Sequence, residues 1–262
     1  MTRVPERIIC LSAEAADWLW RIGAWEKIVG VTAFFVPPPE APAKPRVSGF
    51  STGRLEEIAG LNPDLVITFS DVQSHLAAEL IKRGLPVFAA NQRTLEETET
   101  TLALLGRVVD RQTEAERLLA EFRARLAPVP VTDISARPRV YFEEWNDPFI
   151  TGIGWVGELI ERAGGNDIFV GLRTKRAAPE RVVSSEQILR ANPEIIFASW
   201  CGKPVQPAAI ASRPGWAEMA AVRAGRIYEI PGEDILQPGF RLVHGYERLK
   251  EVIRQFRRML PT

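Results

Sequence analysis

EEIAGLNPDLVIT, at residues 56–68, returns in a second form as EQILRANPEIIFA at residues 186–198. Both stretches begin with an acidic residue, continue with apolar residues at helical spacing, and reach Asn-Pro, a further acid and an apolar run. Asn-Pro ends a helix because proline disfavours the helical conformation of the residue before it, and the short apolar run is typical of a buried strand. The repeat predicts one helix and strand unit that occurs twice, 130 residues apart.

Further segments also have counterparts in both halves of the chain. RIICLS at 7–12 and RVYFEE at 139–144 each predict a first strand, and LPVFAA at 85–90 and GRIYEIP at 225–231 each predict a later one. Short apolar strands that alternate with helices are typical of parallel sheets covered on both faces. The predicted fold class is therefore α/β, with two similar lobes that contain central, mostly parallel sheets.

The segment between the two repeats predicts how the lobes are joined. TLEETETTLALLGRVVDRQTEAERLLAEFRARLAPVP at 94–130 begins with a capping box, Thr94 and Glu97, and keeps apolar residues at helical spacing up to Pro128. This pattern predicts one long α-helix of about 30 residues, or two nearly collinear helices. The predicted domains are an N-terminal lobe, a connecting helix and a C-terminal lobe, at 1–93, 94–128 and 129–262.

Charge and composition argue against several classes of partner. Lys plus Arg and Asp plus Glu both number 33, so no net field would attract nucleic acid or an anionic membrane. No apolar segment reaches the roughly 18 residues of a membrane-spanning helix. MTRVPERIICLSAE at the N-terminus lacks the pattern of an export signal, so we expect a cytoplasmic monomer, or a periplasmic or extracytoplasmic one if a signal has been removed.

Residues typical of catalysis or metal binding are few. The two histidines, His75 and His244, lie in different halves of the chain and belong to no cluster at metal-ligand spacing. No nucleophile elbow, phosphate-binding loop, dinucleotide fingerprint or His-linked triad occurs in the sequence. We therefore predict no catalytic residues, no resident metal and no catalytic cofactor.

Large rings occur where predicted strands end, beside Pro, Gly and Ser. Ligands of open α/β sheets bind outside the carboxyl ends of the strands, and flat apolar walls suit a broad, partly apolar ligand. Packing in the core is the alternative for each ring taken singly. The rings predicted to contact a ligand are Phe35, Phe50, Phe69, Trp145, Trp155, Trp200 and Phe240.

Polar and thiol side chains in the same loops are further candidates. Cys201 follows Trp200 and is either a ligand contact or a small buried apolar residue. Arg241 is predicted to face an anionic group of the ligand, whereas Arg173 and Arg176 fit solvated loop charges better.

Five stretches together resemble a known family. They are RIICLSAEAADWLWRIGAWEKIVGVT, LEEIAGLNPDLVITF, EEWNDPFITGIGWVGELIERAGG, SSEQILRANPEIIFASWCG and RPGWAEMAAVRAGRIYEIPGEDILQPGFRLVHGYERL. This layout resembles the class III substrate-binding proteins of ABC importers, which capture vitamin B12, ferric siderophores and haem. The Glu-Trp…Asp-Pro turn, the Cys-Gly pair and the Pro-Gly…Arg-Leu-Val tail are similar to the subgroup labelled cobalamin-binding.

The resemblance implies a ligand held between the lobes by aromatic faces. Phe69 matches a ring position of the vitamin B12 binders, and Trp145, Trp155, Trp200 and Cys201 match positions of the cobalamin-labelled subgroup. The loop at 33–37, AFFVP, departs from the His, Cys, Asp or Tyr found there in the subgroup.

The resemblance also implies a permease partner, because importer-bound members present one exposed glutamate on each lobe to arginines of the permease. Near the expected places the chain has Ser74 and His75 in lobe one and KPVQPAAIASRPG at 203–215 in lobe two, so docking glutamates are not evident.

The function predicted is non-catalytic binding of a corrinoid, as an importer component or a solitary binding protein. A ferric siderophore or haem is the alternative ligand, and a tetrapyrrole chelatase is the alternative enzyme.

Overall fold

A computed structural model describes residues 4–131 and 136–259 of the protein. The chain divides into two compact units, Met1–Arg123 (unit 1) and Ala124–Thr262 (unit 2). The boundary between the units lies inside the segment that the sequence predicts as a connecting helix.

Unit 1 contains a parallel sheet. Its strands are β1 (Ile8–Cys10), β2 (Ile28–Thr32), β3 (Arg46–Ser48), β4 (Leu65–Phe69) and β5 (Val87–Ala90). They pair in the order β3-β2-β1-β4-β5, and each of these pairs is parallel. The order reverses beside β1, so the carboxyl ends of β1 and β4 lie at a topological switch point, where ligands of such sheets bind.

Helices cover the sheet of unit 1. They are α1 (Ala13–Arg21), α2 (Leu55–Gly60), α3 (Ser74–Lys82) and α4 (Leu95–Val108). Ser12 caps α1 by accepting a hydrogen bond from the amide of Ala15, 3.2 Å away. Ile9 of β1 and Val66 of β4 pack in one apolar cluster with Ile58 of α2 and Leu80 of α3. Burial of these side chains stabilises the unit by about 2 kcal/mol per residue.

Unit 2 has a mixed sheet. Its strands are β6 (Arg139–Asn146), β7 (Phe149–Thr151), β8 (Asn166–Asp167), β9 (Ile195–Ala198) and β10 (Ile227–Glu229). The order is β10-β9-β6-β7, and β8 also pairs with β6. The pairs are parallel, apart from the antiparallel pair of β6 and β7, which turns at a cis Asp147–Pro148 bond.

Helices and buried aromatic rings complete unit 2. The helices are α6 (Gly154–Arg162), α7 (Ser185–Ala191), α8 (Pro207–Ala211), α9 (Ala220–Arg223), α10 (Gly232–Ile235) and α11 (Leu242–Arg258). Tyr141 of β6 packs edge to face against Phe169, with ring centroids 5.8 Å apart, and lies in one apolar cluster with Trp216. The predicted α/β class with parallel-sheet lobes is confirmed.

The internal repeat is also a repeat of backbone and burial. α2 leads into β4 and α7 leads into β9, and residues 55–68 and 185–198 follow the same order of buried, half-buried and exposed positions throughout. An asparagine in the left-handed conformation follows each helix, with φ of 47° at Asn62 and 44° at Asn192. Asparagine suits this conformation because its short polar side chain is the least strained there after glycine.

An arginine at the start of the first strand holds each helix end. The Nε atom of Arg7 donates to the carbonyl oxygen of Asn62 at 3.0 Å, and the Nε atom of Arg139 donates to that of Asn192 at 3.0 Å. These bonds satisfy carbonyl groups that the end of a helix leaves without an intrahelical partner. The same residue types therefore perform the same structural task in both units.

The connecting segment 94–128 differs from the single helix predicted. α4 ends before Asp110, whose φ is 58°, and α5 (Gln112–Arg125) follows. Nε of Arg123 lies 2.6 Å from a carboxylate oxygen of Glu99, although one straight helix would separate these residues by about 36 Å. A Cβ atom added at Gly106 would lie 2.3 Å from that of Ala115. α4 and α5 thus fold back on each other, and the predictions of one helix or two collinear helices are wrong.

One acidic side chain of α1 is buried in unit 1. Glu14 lies in the first turn of the helix, and burial raises the pKa of its carboxyl group to about 7, partly offset by a hydrogen bond from Ser12. Its Oε1 atom has no hydrogen-bond partner among the described residues. Ionisation of this group therefore opposes folding.

We predict that Asn62→Ala lowers the free energy of unfolding by about 1 kcal/mol, because an alanine side chain is strained at positive φ. Asn62→Gly removes the same amide group without that strain and should remain close to the original protein. Urea unfolding followed by circular dichroism measures both variants. If both variants lost the same free energy of unfolding, strain at positive φ would not be the cause.

We also predict that Glu14 makes unit 1 less stable as pH rises. The folded protein binds the Glu14 proton more tightly than the unfolded chain does, so stability declines from pH of about 4.3, the unfolded pKa, up to about 7. The free energy of unfolding of Glu14→Gln, relative to that of the original protein, should therefore be higher at pH 8 than at pH 4, by on the order of 3 kcal/mol. Urea unfolding at both pH values measures this difference, and a gain independent of pH would contradict it.

Candidate functional site

Two exposed rings lie at the carboxyl edge of the unit 1 sheet. Phe34 follows β2 and is 39% exposed, and Phe50 follows β3 and is 48% exposed. Their ring centroids are 5.8 Å apart, with an interplanar angle of 78°. Apolar rings this exposed mark an interaction surface when they are adjacent. We call the surface formed by Phe34, Phe50 and Phe69 the unit 1 face.

A buried amide fixes the backbone under these rings. Nε2 of Gln73 donates to the carbonyl oxygens of Leu11, at 2.9 Å, and Phe50, at 2.8 Å. Oε1 of Gln73 accepts a hydrogen bond from the amide of Phe69 at 2.9 Å. One side chain therefore joins the residues that follow or end β1, β3 and β4, and its burial makes each of these bonds costly to lose.

Phe69 is the third ring of the unit 1 face. It is half-buried at the end of β4, and the guanidinium carbon of Arg93 lies 5.6 Å from its ring centroid. Arg93 also forms an ion pair with Asp71, with 2.7 Å between Nη2 and Oδ1. The positive charge of Arg93 is therefore compensated by the carboxylate of Asp71, which lies two residues after Phe69.

The corresponding edge of unit 2 carries two indoles and a lysine. Nζ of Lys203 lies 4.0 Å from the centroid of Trp145 and 5.1 Å from that of Trp200, within the range of a cation–π contact. It also lies 2.7 Å from Oδ1 of Asn146. We call the surface formed by Trp145, Asn146, Cys201 and Lys203 the unit 2 face.

A buried ion pair lies under the unit 2 face. Glu143 has no solvent exposure, and its carboxylate accepts hydrogen bonds from Nε1 of Trp200, at 3.0 Å, and from Arg213, at 2.6 and 2.8 Å. The guanidinium carbon of Arg213 lies 4.6 Å from the ring centroid of Phe149 and 4.5 Å from that of Trp216. The two hydrogen bonds from Arg213 hold the Glu143 carboxylate in one orientation, and this carboxylate in turn fixes the indole of Trp200.

Four of the predicted ligand contacts are core residues in the structure. Phe35 contacts Trp25 with a centroid distance of 5.6 Å, and Nε1 of Trp155 donates to the carbonyl oxygen of Ile235 at 2.8 Å. A buried ring offers almost no surface to a ligand, so we leave these four out of the proposed site. They are Phe35, Trp155, Trp200 and Phe240, with 3%, 1%, 6% and 2% exposure.

The remaining two predicted residues differ in their surroundings. Cys201 is exposed on the unit 2 face, and the pKa of its thiol is raised by partial burial and by the negative charge of Glu144. The thiol is therefore neutral at neutral pH. Nη2 of Arg241 lies 2.8 Å from a carboxylate oxygen of Asp234 and 3.8 Å from one of Glu233, so carboxylates of its own unit already compensate its charge.

Sequence reasoning missed several residues of the two faces. It predicted Phe35 as a ligand contact, whereas the exposed ring is that of its neighbour Phe34, at 39% against 3%. Gln73 and Lys203 gave no recognisable pattern, because their roles depend on contacts with residues distant in the chain. Glu143 lies within the predicted strand at 139–144, where no sequence pattern marks it as a functional residue.

Neither a metal cluster nor a membrane span is present in the described part of the chain. Residues 4–131 and 136–259 contain no group of three or more His, Cys, Asp or Glu side chains that could hold a metal ion. Among the helices described, none combines the length and apolar character needed to cross a bilayer.

Comparisons with known proteins agree with the fold. A cobalamin-binding protein of Halobacterium salinarum is 30% identical over 256 residues, which cover 94% of this chain and 68% of that protein. The crystal structure of the periplasmic vitamin B12 binding protein BtuF of Vibrio cholerae superposes with a TM-score of 0.75 at 25% identity, covering 97% and 99% of the two chains. The periplasmic heme-binding protein RhuT of Roseiflexus sp. RS-1 reaches a TM-score of 0.79 at 21% identity, covering 96% and 99%.

These solved structures confirm the class III fold that the resemblance implied. The expected cytoplasmic location receives no support, because the relatives with solved structures are described as periplasmic. The family model described as periplasmic binding protein matches residues 8–233. The chain therefore belongs to the periplasmic binding protein family, which binds substrates rather than converting them.

Proposed function

We propose that this protein binds a corrinoid as the substrate-binding component of an ABC importer. The observation that carries the proposal is the 30% identity to a cobalamin-binding protein along 94% of the chain. The exposed rings of the unit 1 face and the half-buried Trp145 of the unit 2 face give it a physical basis.

The chemistry of the two faces suits a corrinoid. A corrin ring is broad, mostly apolar and edged with amide groups, so it gains from contact with aromatic rings and with neutral polar groups. The unit 1 face offers the aromatic rings of Phe34, Phe50 and Phe69. The unit 2 face offers an aromatic ring, that of Trp145, and a neutral polar group, the amide of Asn146. Cobalt enters already bound in the ligand, so such a protein needs no metal site of its own.

Ferric siderophores and haem remain the alternative ligands. Both are anionic iron chelates and favour a face with several uncompensated cations. Arg93, which lies beside Phe69, is paired with Asp71, and the predicted contact Arg241 is paired with Asp234. These pairs favour the less charged corrinoid. The chelatase alternative gains no support from a family that binds its substrates.

We further propose an extracytoplasmic location, where an importer component meets its ligand. The family match and the periplasmic relatives with solved structures support this location.

A contact with a permease is the last part of the proposal. Glu56 and Glu186 occupy equivalent positions of the internal repeat, and each is exposed in the first turn of its helix, α2 or α7. These positions differ from Ser74, His75 and the segment 203–215, which lie near the places that the resemblance implies for docking glutamates. We propose these two side chains as the acids that meet arginines of a permease, one on each unit.

Titration with cyanocobalamin tests the ligand. Binding should quench the tryptophan fluorescence, because Trp145 lies on the unit 2 face and the corrin absorbs near its emission. Haemin and a ferric hydroxamate serve as competitors in the same assay. A folded protein that shows no quenching at high micromolar cobalamin, or that binds haemin far more tightly, would overturn the corrinoid assignment.

Adjacent phenylalanines provide a matched test of the unit 1 face. Phe34→Leu should weaken cobalamin binding by about 1–2 kcal/mol with little effect on stability, because the ring is exposed. Phe35→Leu should lower stability by about 1–3 kcal/mol and leave the affinity of the folded protein unchanged, because the ring is buried. Calorimetric titration and thermal unfolding separate the two effects, and the reverse pattern would exclude Phe34 from the site.

The docking proposal has a separate test. Glu56→Gln and Glu186→Gln should each keep cobalamin affinity and weaken the binding of the loaded protein to its permease in detergent. Glu57→Gln, an exposed neighbour in α2, is the control. A loss of equal size in the control variant would show that only net charge matters.

A further inference from the structure

Lys203 reaches the unit 2 face through a tight turn. The amide of Lys203 donates to the carbonyl oxygen of Trp200 at 3.3 Å, and Gly202 adopts a φ of 74° between them. Positive φ at the third residue of a four-residue turn favours glycine, because a side chain would be strained there. Gly202 thus allows the chain to fold Lys203 back over the indoles.

Three contacts then hold the ammonium group in place. Its Nζ atom lies over the rings of Trp145 and Trp200, at 4.0 and 5.1 Å, and 2.7 Å from Oδ1 of Asn146. A lysine on a surface normally loses considerable side-chain freedom when it binds an anion. Here much of that freedom is already lost in the protein.

Among the described residues, no carboxylate forms an ion pair with this cation. The two arginines beneath the same face have their own acids, Arg181 with Glu144 at 2.5 Å and Arg213 with Glu143 at 2.6 Å. Within the described residues, the polar side chain that Lys203 contacts is the neutral amide of Asn146. An ordered ammonium group without an acid, beside the half-buried indole of Trp145, is arranged to receive an anion from the ligand.

We infer that Lys203 binds an anionic group of the corrinoid and makes the protein prefer corrinoids that carry one. This inference rests on the corrinoid-binding function proposed above. The group has the chemistry of a phosphate ester or a carboxylate. A corrinoid with neither should still bind through the aromatic rings, but more weakly.

Three probes and two variants test this inference. Cyanocobalamin carries a phosphodiester in its nucleotide loop, cobyric acid carries a free carboxylate without that loop, and dicyanocobinamide carries neither. Lys203→Met removes the charge and keeps most of the apolar stem. Lys250→Met is the matched control, because this lysine belongs to α11, contacts Tyr246 instead, and lies outside the unit 2 face.

Lys203→Met should weaken the binding of cyanocobalamin about 5- to 50-fold and that of dicyanocobinamide less than about twofold, as expected for the loss of one charge-assisted hydrogen bond. The response of cobyric acid tells whether a carboxylate can replace the phosphate. Higher salt should reduce the preference of the original protein for cyanocobalamin over dicyanocobinamide, and it should leave the ratio of the two affinities unchanged in the variant. Lys250→Met should alter neither affinity.

Equal weakening of cyanocobalamin and dicyanocobinamide would overturn the inference, because Lys203 would then act only by holding the indoles. Unchanged affinities in Lys203→Met would overturn it as well. Both results leave the corrinoid function intact. Failure of the original protein to bind any of the three probes would instead refute the proposed function itself.

Discussion

Each unit is organised by a sheet whose central strands are buried on both faces. Val66 of β4 and Ile196 of β9 have no solvent exposure, and helices cover the residues beside them. A parallel strand in this position has its backbone groups paired and its side chains packed, so a ligand can reach only the strand ends. This constraint places the exposed rings of Phe34 and Phe50 in loops at the carboxyl edge of the unit 1 sheet, and the half-buried rings of Phe69 and Trp145 at strand ends.

Loops at such an edge need anchors, because they lack the regular hydrogen bonds of strands and helices. Unit 1 uses the buried amide of Gln73, which bonds to three separate loops or strand ends. Unit 2 uses the buried carboxylate of Glu143, which bonds to Trp200 and Arg213. Removal of one partner from a buried ion pair typically costs about 3–5 kcal/mol, so the second anchor is strongly held. The two units repeat a backbone plan but stabilise their binding edges with different chemistry.

Charge is distributed unevenly around these edges. Arginines near the faces are paired with acids of the same unit, and such pairs have little remaining attraction for a charged ligand. Lys203 differs because its contacts are rings and a neutral amide. The same arrangement accounts both for a surface suited to a mostly neutral ring system and for a single position suited to a negative group.

The sequence alone determined the repeated helix and strand unit, its Asn-Pro end and the α/β class, because these depend on residues close together in the chain. Periodicity could not reveal that α4 folds back on α5, since both helices keep the same apolar spacing and only residues 109–111, with the left-handed Asp110 among them, separate the two helices. Composition near strand ends identified Phe50 and Trp145 but could not separate Phe34 from Phe35. That choice depends on which side of the loop packs against Trp25, a residue of another segment. The positions of Gln73 and Lys203 were likewise decided by tertiary structure, because each acts through partners that the chain brings together only on folding.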